Sequence, residues 1–122
     1  MVLEVIAQEL AICEITDVSE IDFSDEFCFV GKTDKEVSLV CSAERIPEKA
    51  LKSETGWRAF RIQGELEFSL TGILSGIAAV LADAGIGIFA VSTYRTDYIL
   101  TKRETFENAL SALSAAGYFV LR

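Results

Sequence analysis

The second half of this 122-residue chain alternates between strand and helix periodicities in an order that few folds can accommodate. Apolar residues recur at a period of two in strand-like segments and at helical spacing in two other segments. The segments are a strand at 57–62, a helix that begins near Thr71 and ends before Gly85, strands at 86–91 and 98–101, a helix that begins at the capping box 101–104 and ends before Gly117, and a strand at 118–121. This β-α-β-β-α-β order predicts a ferredoxin-like unit.

Capping residues support both helix assignments. Thr71 precedes the first apolar repeat and is a suitable N-cap, while Gly85 follows the last repeat, where a C′ glycine is usual. The second helix begins with Thr101 and Glu104 at the spacing of a capping box, and Gly117 follows its end. The sequence therefore predicts where both helices begin and end.

The first half of the chain is predicted to be irregular and β-rich. Strand-like segments occur at 2–6, 9–15, 26–30 and 37–41. The only polar stretch long enough to act as a linker runs from 43 to 56 around the single proline, Pro47. We therefore expect an α+β protein of two units, residues 1–55 and 56–122.

The net charge of −8 arises from the first quarter of the chain. Residues 1–31 contain eight acidic side chains and no basic one, and the remainder is balanced. This distribution disfavours nucleic acid and anionic membranes as partners, because both would be repelled. A cation site or a docking surface for a basic partner would use the acidic segment 14–26, but it lacks the central glycine of a calcium loop. A solvated loop is the favoured interpretation.

The reactive residues argue against catalysis and metal binding. Cys13, Cys28 and Cys41 have no paired spacing, so we expect reduced thiols that act as small core residues. The chain has no histidine and no catalytic or phosphate-binding motif, so we expect no enzyme activity, metal or cofactor. No apolar run approaches ~20 residues, and the N-terminus does not resemble a signal peptide, so we expect a cytoplasmic protein.

Several segments together resemble the ACT domain, an amino-acid-binding regulatory module. They are Gly64–Ile73, Leu81–Ile86 and Ser92–Leu100, of which Ser92-Thr-Tyr-Arg-Thr-Asp97 is the most specific, and Thr33–Cys41 in the first half. The chain is similar to small bacterial tandem-ACT proteins and to the ACT repeats of the cytosolic arginine sensor of animals. The resemblance implies two ACT-like ferredoxin-like units, a homodimer, and an amino acid held at an ACT–ACT interface.

The start of the first helix is one half of the predicted site. A helix that begins near Thr71 leaves the amides of Thr71, Gly72 and Ile73 without partners inside the helix, and these amides favour a carboxylate. Gly72 would also let a ligand approach the backbone. The alternative is structural: Thr71 caps the helix and Gly72 permits close packing of the helix on the sheet.

Asp97 is the other half of the predicted site. It follows a polar turn and precedes an apolar strand, so it should lie at one end of the sheet. The resemblance implies that Asp97 binds the ligand's ammonium group, with Gly87 and Ile88 offering backbone groups from an adjacent strand. In the alternative interpretation, Asp97 only caps the turn at 92–96.

The loop before the first helix bears on the ligand side chain. Arginine-sensing relatives carry acidic residues there, whereas this chain has Ser69 and Leu70, which favour a neutral or apolar side chain. Thr33 and Ser38 are predicted to close the pocket from the first half. The resulting hypothesis is an amino-acid sensor, and its alternative is a homo-oligomeric assembly protein without a small ligand.

Overall fold

A computed structural model of the chain describes residues 1–64 and 72–122. These residues form a mixed α+β protein, as predicted. The strands are β1 (Val2–Ile15), β2 (Cys28–Lys32), β3 (Val37–Ser42), β4 (Lys52–Ile62), β5 (Phe89–Ser92), β6 (Asp97–Lys102) and β7 (Phe119–Leu121). The helices are α1 (Ile73–Asp83) and α2 (Arg103–Ala115), and short 3₁₀ turns occupy Val18–Glu20 and Ala43–Arg45. None of the helices in the described part of the chain has the length and apolar character needed to cross a membrane.

Two compact units divide the chain. One contains residues 1–7 and 58–122 and is called the helical unit here; the other contains residues 8–57 and is called the strand unit. The strands β1 and β4 each contribute residues to both units. The sequence predicted a boundary between two ACT-like units at residue 55. That boundary stays a prediction, because a division into compact units does not define where an ACT domain begins.

The core of the helical unit lies between its sheet and its two helices. Alternate residues of β4, Phe60 and Ile62, are fully buried, and the apolar stripes of α1 and α2 pack with them. The buried members of this core are Leu3, Phe60, Ile62, Ile77, Leu81, Ile86, Ile99, Phe106, Ala109, Leu110 and Leu113. The predicted 3.6 and 2.0 periodicities therefore identified the core faces of these elements.

The last strand of the helical unit has an unexpected partner. In a simple ferredoxin-like unit β7 would pair with β4, but β7 pairs in parallel with the start of β1, matching Val2 with Phe119 and Glu4 with Leu121. β1 itself neighbours β4, and the Gln63 amide donates to the Val2 carbonyl at 2.9 Å. The first residues of the chain are therefore part of the helical unit, and Leu3 is fully buried in its core.

The strand unit is β-rich and irregular, as predicted. Its chain order is β1, a 3₁₀ turn, β2, β3, a second 3₁₀ turn and β4, with neighbouring strands in the order β2–β3–β1–β4. Within residues 8–57 the 3₁₀ turns stand where a ferredoxin-like unit would have helices. The two strands predicted at 2–6 and 9–15 form the single strand β1.

The three cysteines are free thiols in the strand unit. Cys13 and Cys41 are buried and hydrogen-bond to each other, and Cys28 is half-buried and pairs with Cys41 across β2 and β3. Burial raises the pKa of all three thiols, that of Cys41 to about 12. The thiols therefore remain protonated near neutral pH and act as small apolar residues, as expected.

The predicted helix starts are wrong in detail. Gly72 is the N-cap of α1, with a left-handed φ of 80°, and Thr71 lies outside the described residues. The capping box of Thr101 and Glu104 does not form, because β6 continues to Lys102 and keeps the fully buried Thr101 within the strand. Lys102 occupies the N-cap position of α2 instead.

Both helix ends agree with the sequence. After α1, the Gly85 amide donates to the Ala82 carbonyl and the Ile86 amide to the Leu81 carbonyl, each at 2.9 Å. These two bonds define a Schellman motif, which requires a positive φ at C′, and Gly85 has a φ of 74°. Gly117 ends α2 in the same way with a φ of 102°.

Replacing Gly85 with alanine should lower the free energy of unfolding by about 1 kcal/mol, because a side chain is strained at positive φ. The matched control is Gly87→Ala, since Gly87 does not have a positive φ and a Cβ there would meet nothing within 4 Å. Urea denaturation of both variants measures the difference. Equal stability of the two variants would contradict the role assigned to Gly85.

Candidate functional site

The hairpin between β5 and β6 is closed by threonine side chains. Ser92 and Asp97 form its last strand pair, and the Thr93 amide donates to the Thr96 carbonyl at 2.9 Å. The Thr93 hydroxyl donates to the same carbonyl at 3.1 Å and accepts from the Thr96 amide at 3.4 Å. Thr93 therefore holds the turn through its backbone and its side chain.

The hairpin is also anchored to the neighbouring strand. Thr96 is only 8% exposed, and its hydroxyl donates to the Ile62 carbonyl at the end of β4, at 2.7 Å. A buried hydroxyl with a strong acceptor keeps the turn in one position relative to β4. The residue that follows, Asp97, is therefore presented from a fixed backbone.

Asp97 is the first residue of β6 and lies at one end of the sheet, as predicted. Its side chain is half-buried, and its Oδ1 accepts a 2.6 Å hydrogen bond from the Ser92 hydroxyl. A carboxylate has about four acceptor positions, so one neutral donor leaves capacity for a cationic ligand group. The structure thus gives Asp97 a position and a charge compatible with ammonium binding.

The start of α1 presents backbone rather than side-chain groups. Gly72 is exposed, and its carbonyl accepts from the Gly76 amide at 2.9 Å and from the Ser75 hydroxyl at 3.2 Å. A glycine N-cap has no side-chain oxygen that could accept from the first amides of the helix. Ile73 is half-buried against the core. The predicted site residues Ser69, Leu70 and Thr71 lie outside the described residues.

Gly87 and Ile88 precede β5 rather than forming part of a strand. The segment Ile86–Ile88 is irregular, although the sequence predicted a strand from residue 86. Gly87 is exposed with open space where a Cβ would be, and Ile88 packs partly against the core. The exposed backbone at Gly87 can therefore accept or donate hydrogen bonds to a bound molecule.

The predicted site residues of the helical unit do not all come together. Gly72 and Gly87 are separated by the 11-residue helix α1, which is about 16 Å long. Gly87 also precedes β5, a strand of four residues and about 10 Å at 3.3 Å per residue, whose far end carries the Ser92–Asp97 pair. Within one unit, a ligand of amino-acid size that contacts Gly72 or Asp97 is too far from Gly87.

Thr33 and Ser38 belong to the equivalent hairpin of the strand unit. The Thr33 amide donates to the Glu36 carbonyl at 2.9 Å, and its hydroxyl accepts from the Lys35 and Glu36 amides. Ser38 donates to the Glu36 carboxylate. The two hairpins share their loop length and a threonine at the first loop position, and Thr33 closes its turn as Thr93 does.

A cluster that the sequence patterns missed lies beside the β5–β6 hairpin. The Arg61 guanidinium donates from Nε to Glu4 Oε1 at 2.7 Å and from Nη1 to Tyr98 Oη at 3.2 Å. The hydrogen bonds to Tyr98 and Glu4 raise the pKa of Arg61 above its usual value. Glu4 is far from both partners in sequence, so no local pattern could have grouped the three.

Metal binding finds no support in the part of the chain that the structure describes. No group of three or more histidine, cysteine, aspartate or glutamate side chains is arranged there to hold a metal ion. The acidic residues Asp22 and Asp25 instead bind protein partners, namely Arg45 and Ser42.

Comparison with known proteins defines the class of this chain. The family model of the ACT domain matches residues 52–115, more than half of the sequence. The chain belongs to the ACT-domain family. Membership of this family supports a regulatory role based on small-molecule binding rather than a catalytic role.

Solved structures share the fold of this chain. A protein from Agobacterium tumefaciens is 31% identical, with 98% of this chain and 91% of that chain covered and a TM-score of 0.86. A Vibrio cholerae protein of unknown function, described as a possible transport protein, is 21% identical over 91% of this chain and 85% of that chain, with a TM-score of 0.75.

A third solved structure is an enzyme that contains this fold as one part. Aspartate kinase from Clostridium acetobutylicum, described as an allosteric enzyme, is 13% identical over 89% of this chain and 33% of that chain, with a TM-score of 0.65. At this identity the similarity concerns the fold alone. No curated protein matches the chain.

Proposed function

We propose that this protein is a cytoplasmic sensor that binds an amino acid reversibly between two ACT-like units. The observation that carries the proposal is the half-buried Asp97 carboxylate, held at the end of the sheet by an anchored hairpin. A fixed carboxylate with spare acceptor capacity is suited to an α-ammonium group. Aspartate kinase, whose structure has a region of the same fold, is described as an allosteric enzyme.

The ligand carboxylate is assigned to the start of α1. The amides of Thr71, Gly72 and Ile73 would bind it, favoured by the helix dipole and by the absence of a side chain at Gly72. Ser69 and Leu70 would contact the ligand side chain, which we expect to be neutral. The exposed, uncapped position of Gly72 supports this assignment.

A second unit must supply the remaining contacts. The lengths of α1 and β5 support a ligand that contacts Gly72 and Asp97 in one helical unit and Gly87 and Ile88 in another. We assign Gly87 and Ile88 to a second copy in a homodimer, with Thr33 and Ser38 closing the pocket. The repeated hairpin of the strand unit supports a tandem arrangement of two ACT-like units. Ligand binding would then shift the placement of the units, which a protein partner could detect.

A thermal-shift screen against the twenty amino acids tests the sensor. At ~100 times its Kd, a ligand adds about 2.7 kcal/mol to the unfolding free energy, which moves the melting temperature by several degrees. Asp97→Asn should weaken the response to the active amino acid about tenfold or more, because it removes the charge that binds the ammonium. Asp34→Asn, in the exposed turn of the strand unit, is the matched control and should respond as the wild type does.

Mixing two inactive variants tests whether the second unit belongs to another copy. Gly87→Val should block ligand approach without disturbing packing, since the space around Gly87 is open. Mixed dimers of Asp97→Asn and Gly87→Val contain one intact site, so the mixture should regain about a quarter of the sites. Failure to regain binding would reject a site that is shared between two copies.

The alternative is an assembly protein that uses sheet edges and binds no small ligand. It predicts that no amino acid changes the melting temperature and that this temperature rises with protein concentration. If no amino acid changes the melting temperature and that temperature rises with protein concentration, the sensor hypothesis is rejected. Retention of full ligand response by Asp97→Asn would reject the assigned binding role of Asp97 alone.

A further inference from the structure

A cleft of about 630 Å³ lies beside the β5–β6 hairpin of the helical unit. Its lining includes Glu4, Arg61, Thr93, Arg95 and Tyr98, all of which belong to this one unit. The volume falls within the range of small-molecule sites. Neither Asp97 nor Gly72 is among the described residues that line it.

Arg61 is held in a fixed orientation within this cleft. Its Nε and Nη1 donate to Glu4 and Tyr98, and its Cζ lies 5.8 Å from the centre of the Tyr98 ring. Guanidinium groups carry five N–H donors, and the Nη2 pair takes part in neither of these bonds. Because Nη2 makes neither bond to the described partners Glu4 and Tyr98, a preorganised Arg61 can offer it to a further acceptor at low entropic cost.

Among the described residues that line the cleft, Arg95 adds a second positive charge to that of Arg61. The carboxylate of Glu4 balances the charge of Arg61, whereas Arg95 forms no hydrogen bond or ion pair with residues 1–64 or 72–122. Arg95 is also exposed at the hairpin tip. A local positive site in a protein with a net charge of −8 is suited to a small anion rather than to a polyanion.

We propose that this cleft binds a small metabolite that carries a terminal oxyanion, a carboxylate or a phosphate. Arg95 pairs with the oxyanion and the Nη2 group of Arg61 donates a second hydrogen bond, an arrangement that suits planar or tetrahedral oxyanions. The aromatic ring of Tyr98 forms an apolar wall for the rest of the molecule. The proposal does not depend on the amino-acid site, because the two use different side chains.

Calorimetric titration of the full-length protein with succinate, and separately with inorganic phosphate, tests the proposal. Saturable binding of succinate alone identifies a carboxylate site, and saturable binding of phosphate alone identifies a phosphate site. Either result supports oxyanion binding in the cleft if the binding depends on Arg95. Arg95→Gln should weaken binding about tenfold or more. Arg103→Gln removes the same charge from an exposed position at the start of α2 and should leave binding unchanged.

Several outcomes would overturn the proposal. One is that neither probe binds saturably up to about 10 mM, a concentration far above the Kd of ordinary metabolite sites. Another is an equal loss of affinity in Arg95→Gln and Arg103→Gln, which would indicate general charge attraction. Asp97→Asn separates the two sites: it should retain oxyanion binding while losing the amino-acid response. Loss of oxyanion binding in Asp97→Asn would show that the cleft is not an independent site.

Discussion

Replacing Phe106 with alanine will lower the free energy of unfolding by about 3–5 kcal/mol. Phe106 is 1% exposed, lies 6.5 Å from the ring of Phe60 and has the Arg58 guanidinium 4.8 Å from its ring centre. Truncation removes the buried ring, leaves a cavity between α2 and the sheet, and deprives Arg58 of its aromatic partner. Urea denaturation monitored by circular dichroism measures the loss.

Phe119→Ala is the matched control for Phe106. Phe119 lies on β7 in the same unit but is 63% exposed, so its truncation should cost less than about 1 kcal/mol. If Phe106→Ala does not fold, Phe106→Leu retains most of the volume and should cost about 1–2 kcal/mol. Similar losses in Phe106→Ala and Phe119→Ala would contradict the placement of the core.

Replacing Asp25 with alanine is expected to cost about 2 kcal/mol. Its carboxylate accepts hydrogen bonds from the Ser42 amide at 2.8 Å, the Ser42 hydroxyl at 2.6 Å and the Phe27 amide at 3.1 Å. These bonds join the acidic loop to the end of β3, and the variant leaves the Ser42 amide without its acceptor. Asp34→Ala, in an exposed turn, is the control and should change stability by less than about 0.5 kcal/mol.

The Asp25 variant should also change the acid sensitivity of the protein. Partial burial acts to raise the pKa of Asp25, but hydrogen bonds from Ser42 and Phe27 outweigh it and hold the pKa below the usual 3.8. Because the folded pKa is depressed, this contribution is complete above pH 3.8 and is lost as the pH falls through the folded value. The wild type should therefore lose stability more steeply than Asp25→Ala below about pH 4. Parallel pH profiles of the two proteins would contradict this assignment.

For the acidic segment 14–26, the sequence suggested several roles but did not decide between them. Its composition allowed a cation site, a docking surface or a solvated loop. The structure shows that two of its carboxylates have structural partners, Arg45 for Asp22 and Ser42 for Asp25. Both partners are more than fifteen residues away in sequence, so the local pattern could not identify them.

The sequence also predicted the proposed amino-acid site only in part. The sequence placed Asp97 correctly at the end of a strand, because a polar turn followed by an apolar run is a local signal. It did not show that Gly87 lies apart from Gly72 and Asp97, since that follows from the full lengths of α1 and β5. The proposal of a second contributing unit depends on this tertiary information.

The sequence by itself determined the type and order of the elements between Trp57 and Leu121, because the periods of helices and strands are properties of neighbouring residues. Gly85 and Gly117 ended the helices for an equally local reason, the positive φ that a Schellman motif requires. Only the tertiary structure decided that β7 pairs with β1, that Lys102 precedes α2, and that Glu4 binds Arg61. Strand pairs and ion pairs join residues that are distant in the chain, so their energies depend on which edges and charges the folded molecule brings together.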